Sequence, residues 1–245
     1  MLLNVKYIPP EDCQLKKNSI DIWEFPLNIL PPLARTILNA DELNRADRYY
    51  FERHKRRFTV ARALLRIILG HYLQKNGKSL NFIYNKHGKP ELKNSSSLQF
   101  NLSHSRDLAL VAIGQQFSLG VDLEFYSARP YDGIAKHLFS EQELALFLTL
   151  PNYLKPQAFF NIWASKEAFI KGCGLGLAYP TKLFTVPVFG AEAKSIKDDV
   201  FKNIWQLSSF MPKIGCAAAL CHHPEVTEIQ YIRINDSEKF LAHFY

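Results

Sequence analysis

Cysteine is scarce in this chain. Four stand among 245 residues, Cys13, Cys173, Cys216 and Cys221, and no two of them form a Cys-x-x-Cys pair or a zinc spacing. A disulfide scaffold and a zinc module are thereby excluded, and the expectation is reduced thiols in a cytoplasmic protein. No uncharged apolar run approaches the ~18 residues of a membrane-spanning helix. The opening MLLNVKYIPPEDC lacks the basic-then-apolar layout of a secretion signal. Internal repeats and long low-complexity tracts are also missing, which excludes solenoids and arrays. Hydrophobic residues, by contrast, make up 47% and charged residues 22%, so a packed core is feasible and wholesale disorder is excluded. Lys and Arg number 30 against 23 Asp and Glu, a net charge of +7. That balance favours a polyanionic or acidic partner: nucleic acid, a phosphorylated small molecule or an acidic protein.

Periodicity and punctuation predict the elements. Residues 2–8 and 20–25 read as strands separated by Pro9-Pro10-Glu11-Asp12. Asp41 can cap a helix reaching Tyr50. Phe58, Ala61, Leu65 and Ile68 recur at helical spacing in a second helix over 55–74, with Gly77 beyond its end. Strands are expected over 80–84, 98–102, 109–113 and 119–125, with a loop at Lys86-His87-Gly88-Lys89-Pro90. Ser140-Glu141-Gln142-Glu143 is a capping-box pattern for a helix ending at Pro151. Pro156 suits the first turn of a helix over 157–171 closed by Gly172. Several strands fill 183–234, and a short helix covers 237–245. The order predicts an α+β or mixed α/β fold, not a regular doubly wound sheet. Residues 115–118 could divide two parts of similar size.

Five segments carry chemistry. In Gly120-Val121-Asp122-Leu123-Glu124 the strand alternation puts Asp122 and Glu124 on one face. Two carboxylates so spaced can hold one hard cation, magnesium above all, because it takes one or two carboxylates plus substrate phosphates. The ordinary reading is a solvated acidic face. In Trp163-Ala164-Ser165-Lys166-Glu167-Ala168-Phe169-Ile170-Lys171, a buried Trp163 shares a helix face with Glu167 and Lys171. That carboxylate could bind metal or take a proton while the lysine binds phosphate. An ordinary helix salt bridge is the plainer alternative. Phe100-Asn101-Leu102-Ser103-His104-Ser105 runs from a strand into a polar turn whose side chains can donate to phosphate. No strained nucleophile elbow supports a Ser–His nucleophile there. His87-Gly88-Lys89-Pro90 combines backbone access with charge, or is a surface turn. Arg45, Arg48, Arg53, Lys55, Arg56, Arg57, Arg62 and Arg66 form a basic stretch. It could clamp phosphates, and no recognised nucleic-acid-binding motif accompanies it.

Each segment has an ordinary structural explanation; their order together does not. A basic helix, a Gly-Lys-Pro loop, a Phe-Asn-x-Ser-His-Ser turn, a Gly-Val-Asp-x-Glu strand and a Trp-x-x-Lys-Glu-x-x-x-Lys helix follow one another between residues 45 and 180. The chain thereby resembles the Sfp-type 4′-phosphopantetheinyl transferases. The resemblance implies two similar α/β lobes in one polypeptide, a pseudo-dimer divided here as 1–116 and 117–245, with coenzyme A in the cleft between them. It implies transfer of the phosphopantetheine arm of coenzyme A to a serine hydroxyl of an apo acyl or peptidyl carrier protein, with 3′,5′-ADP leaving. By the same resemblance Asp122, Glu124 and Glu167 match the magnesium ligands. Glu167 also matches the general base, and Lys171 the lysine on the pyrophosphate. Ser103 and His104 match phosphate contacts. His87, Gly88, Lys89 and Pro90 match the loop around the nucleotide, His87 standing where the family often has an aromatic. Arg62, with Arg53 as neighbour, falls near the 3′-phosphate. The expected protein is monomeric, with neither nucleic acid nor a membrane among its partners.

Two other classes use the same features differently. A magnesium-dependent hydrolase of coenzyme A or nucleotides would activate water and turn over without a carrier. A non-catalytic nucleic-acid-binding protein would bind in a salt-sensitive way that survives loss of Asp122 and Glu167.

Overall fold

In the computed structural model, residues 5–8, 14–93, 97–189, 194–198, 200 and 202–245 are described. The first strand, β1, is Val5–Ile8, and β2 is Ser19–Pro26; Pro9 to Cys13 lie outside the described residues. Three helices follow: α1, Ala34–Ile37; α2, Ala40–Asp47; and α3, Glu52–Leu73. The cap of α2 is Asn39, not Asp41: its side chain accepts from the Glu42 amide, and Glu42 reaches back to the Asn39 amide. That reciprocal box starts the helix earlier than the Asp41 cap predicts. Helix α3 begins before residue 55 and ends at Gln74 in the left-handed conformation.

A short hairpin, β3 (Phe82–Tyr84) and β4 (Pro90–Leu92), carries the Gly-Lys-Pro loop at its turn. Three longer strands follow: β5, Leu98–Ser105; β6, Leu108–Gln115; and β7, Gly120–Phe125. Next come α4 (Tyr131–Leu138), α5 (Glu141–Thr149, capped by Ser140 as expected) and α6 (Lys155–Cys173). Helix α6 runs past Gly172 and closes at Gly174, whose φ of +73° suits a residue without Cβ. The chain ends with β8 (Lys194–Lys197), β9 (Ile204–Phe210), β10 (Cys216–His222), β11 (Glu228–Arg233) and α7 (Ser237–Phe244).

The strands form a mixed α+β fold. One sheet has the order β1-β11-β2-β6-β5 and another β7-β10-β9-β8. Alternation in each strand divides three cores. In β2, Trp23 and Phe25 pack with Leu64 and Ile68 of α3, while Ile20 and Ile22 face the other way. Those two meet Val121, Leu123, Ala218 and Leu220, so the sheets share a core. On the far face of the second sheet, Ala217, Ala219 and Cys221 pack with Phe169 and the rest of α6. The order of layers is therefore helix, sheet, sheet, helix. Strand β11 pairs in parallel with both β1 and β2, so the five-stranded sheet draws on both ends of the chain. The cysteines at 173, 216 and 221 are free thiols. No described helix is long and apolar enough to cross a membrane.

Candidate active site

The site grows from the contact between β7 and α6. Gly120 opens β7 because a Cβ there would overlap the carbonyl oxygen of Ala168 and the amide nitrogen of Gly172. Its absence lets the strand lie directly on the helix backbone. Two residues later Asp122 faces that helix, then Glu124, while Val121 and Leu123 enter the core between the sheets. From α6, successive turns present Trp163, Glu167 and Lys171.

These groups meet. Lys171 Nζ donates to Asp122 Oδ1 at 2.6 Å and to Ser103 Oγ at 3.0 Å. Ser103 Oγ donates to the same Asp122 oxygen at 2.8 Å. Glu124 is held from two sides, by the Trp163 indole N–H at 3.3 Å and by the Ser105 hydroxyl at 3.2 Å. Trp163 is thus only half-buried, not enclosed as its apolar ring suggests, because its N–H reaches the acidic edge. Asp122 Oδ2 and Glu167 Oε1 are buried and have no hydrogen-bond partner. Such oxygens cost free energy unless something else binds them.

The electrostatics follow from this crowding. Burial, then the negative charge of Asp122, pushes Glu167 up to about 7, against the pull of Lys171. Burial and the same Asp122 charge raise Glu124. His104 lies on the opposite face of β5 from Ser103, and its imidazole pKa falls below the ordinary value through desolvation, then the charges of Lys171 and Arg57. Its neutral form, which can still donate one hydrogen bond, is favoured. Asp122 and Glu167 have the chemistry of a hard-cation site, and their two unpartnered oxygens fit one. Among the described residues no three His, Cys, Asp or Glu side chains converge on a single point as they stand. Lys171 holds Asp122 by Oδ1, and Trp163 and Ser105 fix Glu124 beside it.

The expected nucleotide-side residues divide into two groups. Lys89 and Arg62 spend their charge inside the protein. Lys89 Nζ donates to the carbonyls of Lys171 at 2.7 Å, Leu119 at 3.1 Å and Gly172 at 3.3 Å, and to Ser118 Oγ at 3.0 Å. It neutralises the carbonyl end of α6 and stitches the β3–β4 turn to it. Burial brings its pKa down to about 8. Asn85 adds a bond to the Gly174 carbonyl at 2.9 Å. Arg62 is buried against Glu42 and lies 3.9 Å over the Phe82 ring. Arg66 shares Glu42 at 2.7 Å. His87 and Gly88 remain exposed at the hairpin tip with Pro90 partly so, and Gly88 has a φ of +85°. Arg53 is exposed and stacks on Phe51.

Sequence reasoning gives Asn101 no role and reads Ser105 as a phosphate donor, not as the partner of Glu124 and of the Phe125 amide. The available signal was the polar alternation at 101, 103 and 105 along one strand face. Lys166 was also quoted without a role. It is fully buried, pairs with Glu143 at 2.9 Å and donates to the carbonyls of Thr181 and Phe184.

Comparison with known proteins adds independent findings. Residues 118–220 match the 4′-phosphopantetheinyl transferase superfamily model, and residues 31–116 match the 4′-phosphopantetheinyl transferase N-terminal model. The 4′-phosphopantetheinyl transferase HetI of Nostoc sp. is 36% identical over 89% of this chain and 94% of its own length. The 4′-phosphopantetheinyl transferase ffp of Bacillus subtilis is 28% identical over 80% of this chain and 89% of its own. The Sfp enzyme of Bacillus subtilis is 25% identical over 79% and 86%, respectively.

Proposed function

The chain belongs to the 4′-phosphopantetheinyl transferase family, and from that premise we propose that it moves the phosphopantetheine arm of coenzyme A onto a serine hydroxyl of an apo acyl or peptidyl carrier protein, releasing 3′,5′-ADP. One observation carries this reading: Asp122, Glu167 and Lys171 gather at the β7–α6 contact with a buried, unpartnered oxygen on each acid. Asp122 and Glu167, with Glu124 beside them, would hold a magnesium ion, which supplies positive charge for the pyrophosphate when bound. Lys171 holds Asp122 by Oδ1 and leaves Oδ2 for the ion.

The protein's own groups have matching tasks. Glu167, with its pKa near 7, can accept the carrier serine's proton at neutral pH. Lys171 would neutralise charge developing on the pyrophosphate. Ser103 stands beside that lysine and would turn its hydroxyl from Asp122 to phosphate, and the uncharged imidazole of His104 is a further donor on the other face of β5. His87, Gly88, Pro90 and Arg53 are proposed to border the nucleotide, while Lys89 and Arg62 support those contacts from within. The same reading takes 1–116 and 117–245 as two lobes with coenzyme A in the cleft between them, β11 and α7 being returned to the first lobe's sheet. The separate family matches on either side of residue 117 support that division. The net charge of +7 suits a polyanionic substrate and an acidic carrier. A monomer working in the cytoplasm completes the proposal.

The test is incubation with coenzyme A, magnesium and a panel of apo carrier proteins, with Glu167→Ala as control and the carriers weighed by mass spectrometry. One phosphopantetheine gained on the carrier serine, absent in the control, supports the transferase. Coenzyme A cleaved without any gain on a carrier points instead to hydrolysis.

A further inference from the structure

The outer edges of the two main sheets face each other at β5 and β7. Among the described residues, strand β5 has a backbone partner only in β6, and β7 only in β10. An edge strand leaves every second amide without a ladder partner. On β7 these are the amides of Val121, Leu123 and Phe125. Val121 and Leu123 are buried, so water cannot satisfy them. Three side chains of β5 do so instead. Asn101 Oδ1 accepts from Val121 N at 2.9 Å, Ser103 Oγ from Leu123 N at 3.3 Å and Ser105 Oγ from Phe125 N at 3.1 Å. Both partners advance by two residues at each rung, so the sheets are joined through side chains in strict register.

The two serines do more than accept. Each donates its own hydrogen to the carboxylate of the residue preceding the amide it receives. Ser103 reaches Asp122 at 2.8 Å, and Ser105 reaches Glu124 at 3.2 Å. A hydroxyl fixed at two points on one strand holds that carboxylate in place. Glu124 receives its second donor from the Trp163 indole on the other oxygen. We infer that Asn101, Ser103 and Ser105 form a side-chain ladder that positions β7, and that Ser105 is a positioning residue that pre-orients Glu124 toward a divalent cation. The amide ladder stands on the geometry alone; the cation part rests on the transferase reading. Orientation by neutral outer donors strengthens ion binding by sparing the site reorganisation.

The experiment uses the full chain with Ser105→Ala, Ser105→Thr and Asn101→Ala. Amide hydrogen exchange of β7 is read by NMR, Mn2+ binding by electron paramagnetic resonance in the absence of coenzyme A, and the magnesium dependence of transfer by steady-state kinetics. In Ser105→Ala the Phe125 amide should exchange about tenfold faster, the loss expected for one hydrogen bond. Mn2+ affinity should fall roughly tenfold, within the range for removing an outer-shell partner. Half-saturating magnesium should rise in parallel. Ser105→Thr retains the hydroxyl and should restore all three. Asn101→Ala should expose the Val121 amide and leave Mn2+ affinity nearly unchanged. Unaltered Phe125 exchange in Ser105→Ala overturns the ladder. Altered exchange with unaltered Mn2+ affinity overturns the positioning role. If the wild-type protein modifies no carrier, the transferase reading fails, while exchange and Mn2+ binding still judge the inference.

Discussion

Glu167→Gln should make the protein more stable while removing its activity, and the gain should depend on pH. The Glu167 carboxyl rises from 4.5 to about 7 in the fold, chiefly through burial and then through the Asp122 charge. A shift of that size corresponds to roughly 3 kcal/mol between the protonation states, at 1.36 kcal/mol per unit. The side chain is only partly enclosed, so screening reduces the expected effect to about 2 kcal/mol. The folded state binds this proton more tightly than the unfolded chain does. The stability linked to it is therefore complete below about pH 4.5 and lost as pH rises through 7. Glutamine keeps the neutral form at every pH. The variant should match wild type near pH 4.5 and exceed it by about 2 kcal/mol at pH 8. For a chain of this size that is a Tm gain of about 4–8 °C. Urea denaturation from pH 5 to 8, with chelator present to keep metal out, measures the gap directly. A gap equal at pH 5 and pH 8, or a variant less stable at pH 8, refutes the argument. Magnesium should stabilise wild type more than the variant.

Gly120→Ala should cost about 3 kcal/mol or more, because its Cβ meets backbone of α6 that has no room to shift; calorimetry showing a loss under 1 kcal/mol would be inconsistent with that contact. Lys166→Met leaves Glu143 buried without its ammonium and should cost about 3–5 kcal/mol in chemical denaturation, with much of the loss recovered in Glu143→Gln/Lys166→Met. Trp163→Ala should cost roughly 2 kcal/mol, short of the ~3–5 kcal/mol of an enclosed ring, since Trp163 is half-buried.

Much of this was legible in the residues. Strand alternation at 120–124 put Asp122 and Glu124 on one face, and helical spacing put Trp163, Glu167 and Lys171 on another; only the family resemblance brought the two faces together. Helix ends were harder. Asn39 displaced Asp41 as the cap because Glu42 completes a reciprocal box with it. The parallel pairing of β11 with β2 joins residues some two hundred positions apart and leaves no local trace. Helix α4, of eight residues, went unassigned, and the three-residue strand Pro90–Leu92 starts where a loop is expected. The basic residues misled most. Composition cannot say whether a cation turns outward to a ligand or inward to a carbonyl. Lys89 and Arg62 both turn inward, the first to the end of α6 and the second to Glu42.

The treatment of buried acids elsewhere in the molecule bears on what the β7–α6 contact is for. Glu42 receives two guanidinium groups. Glu143 receives Lys166 together with the amides of Ser140 and Val186. Asp198 receives the Tyr179 hydroxyl and the Val200 amide. Asp21 is left with one unpartnered oxygen and a pKa pushed up to about 6, but the acid that acts on it, Glu228, is itself paired with Lys16 at the surface. At β7 and α6, by contrast, Asp122 and Glu167 draw on one ammonium, that of Lys171, and each keeps a bare buried oxygen. Asp122 raises both Glu124 and Glu167 by like-charge repulsion. A chain of net charge +7 has cations in excess, and placing a second one here would have relieved that repulsion permanently. Such a cation would also occupy the point where the proposed divalent ion and pyrophosphate would meet. Under the proposed function, the repulsion at Glu167 and Glu124 is the cost of a site kept open for a ligand that brings its own charge.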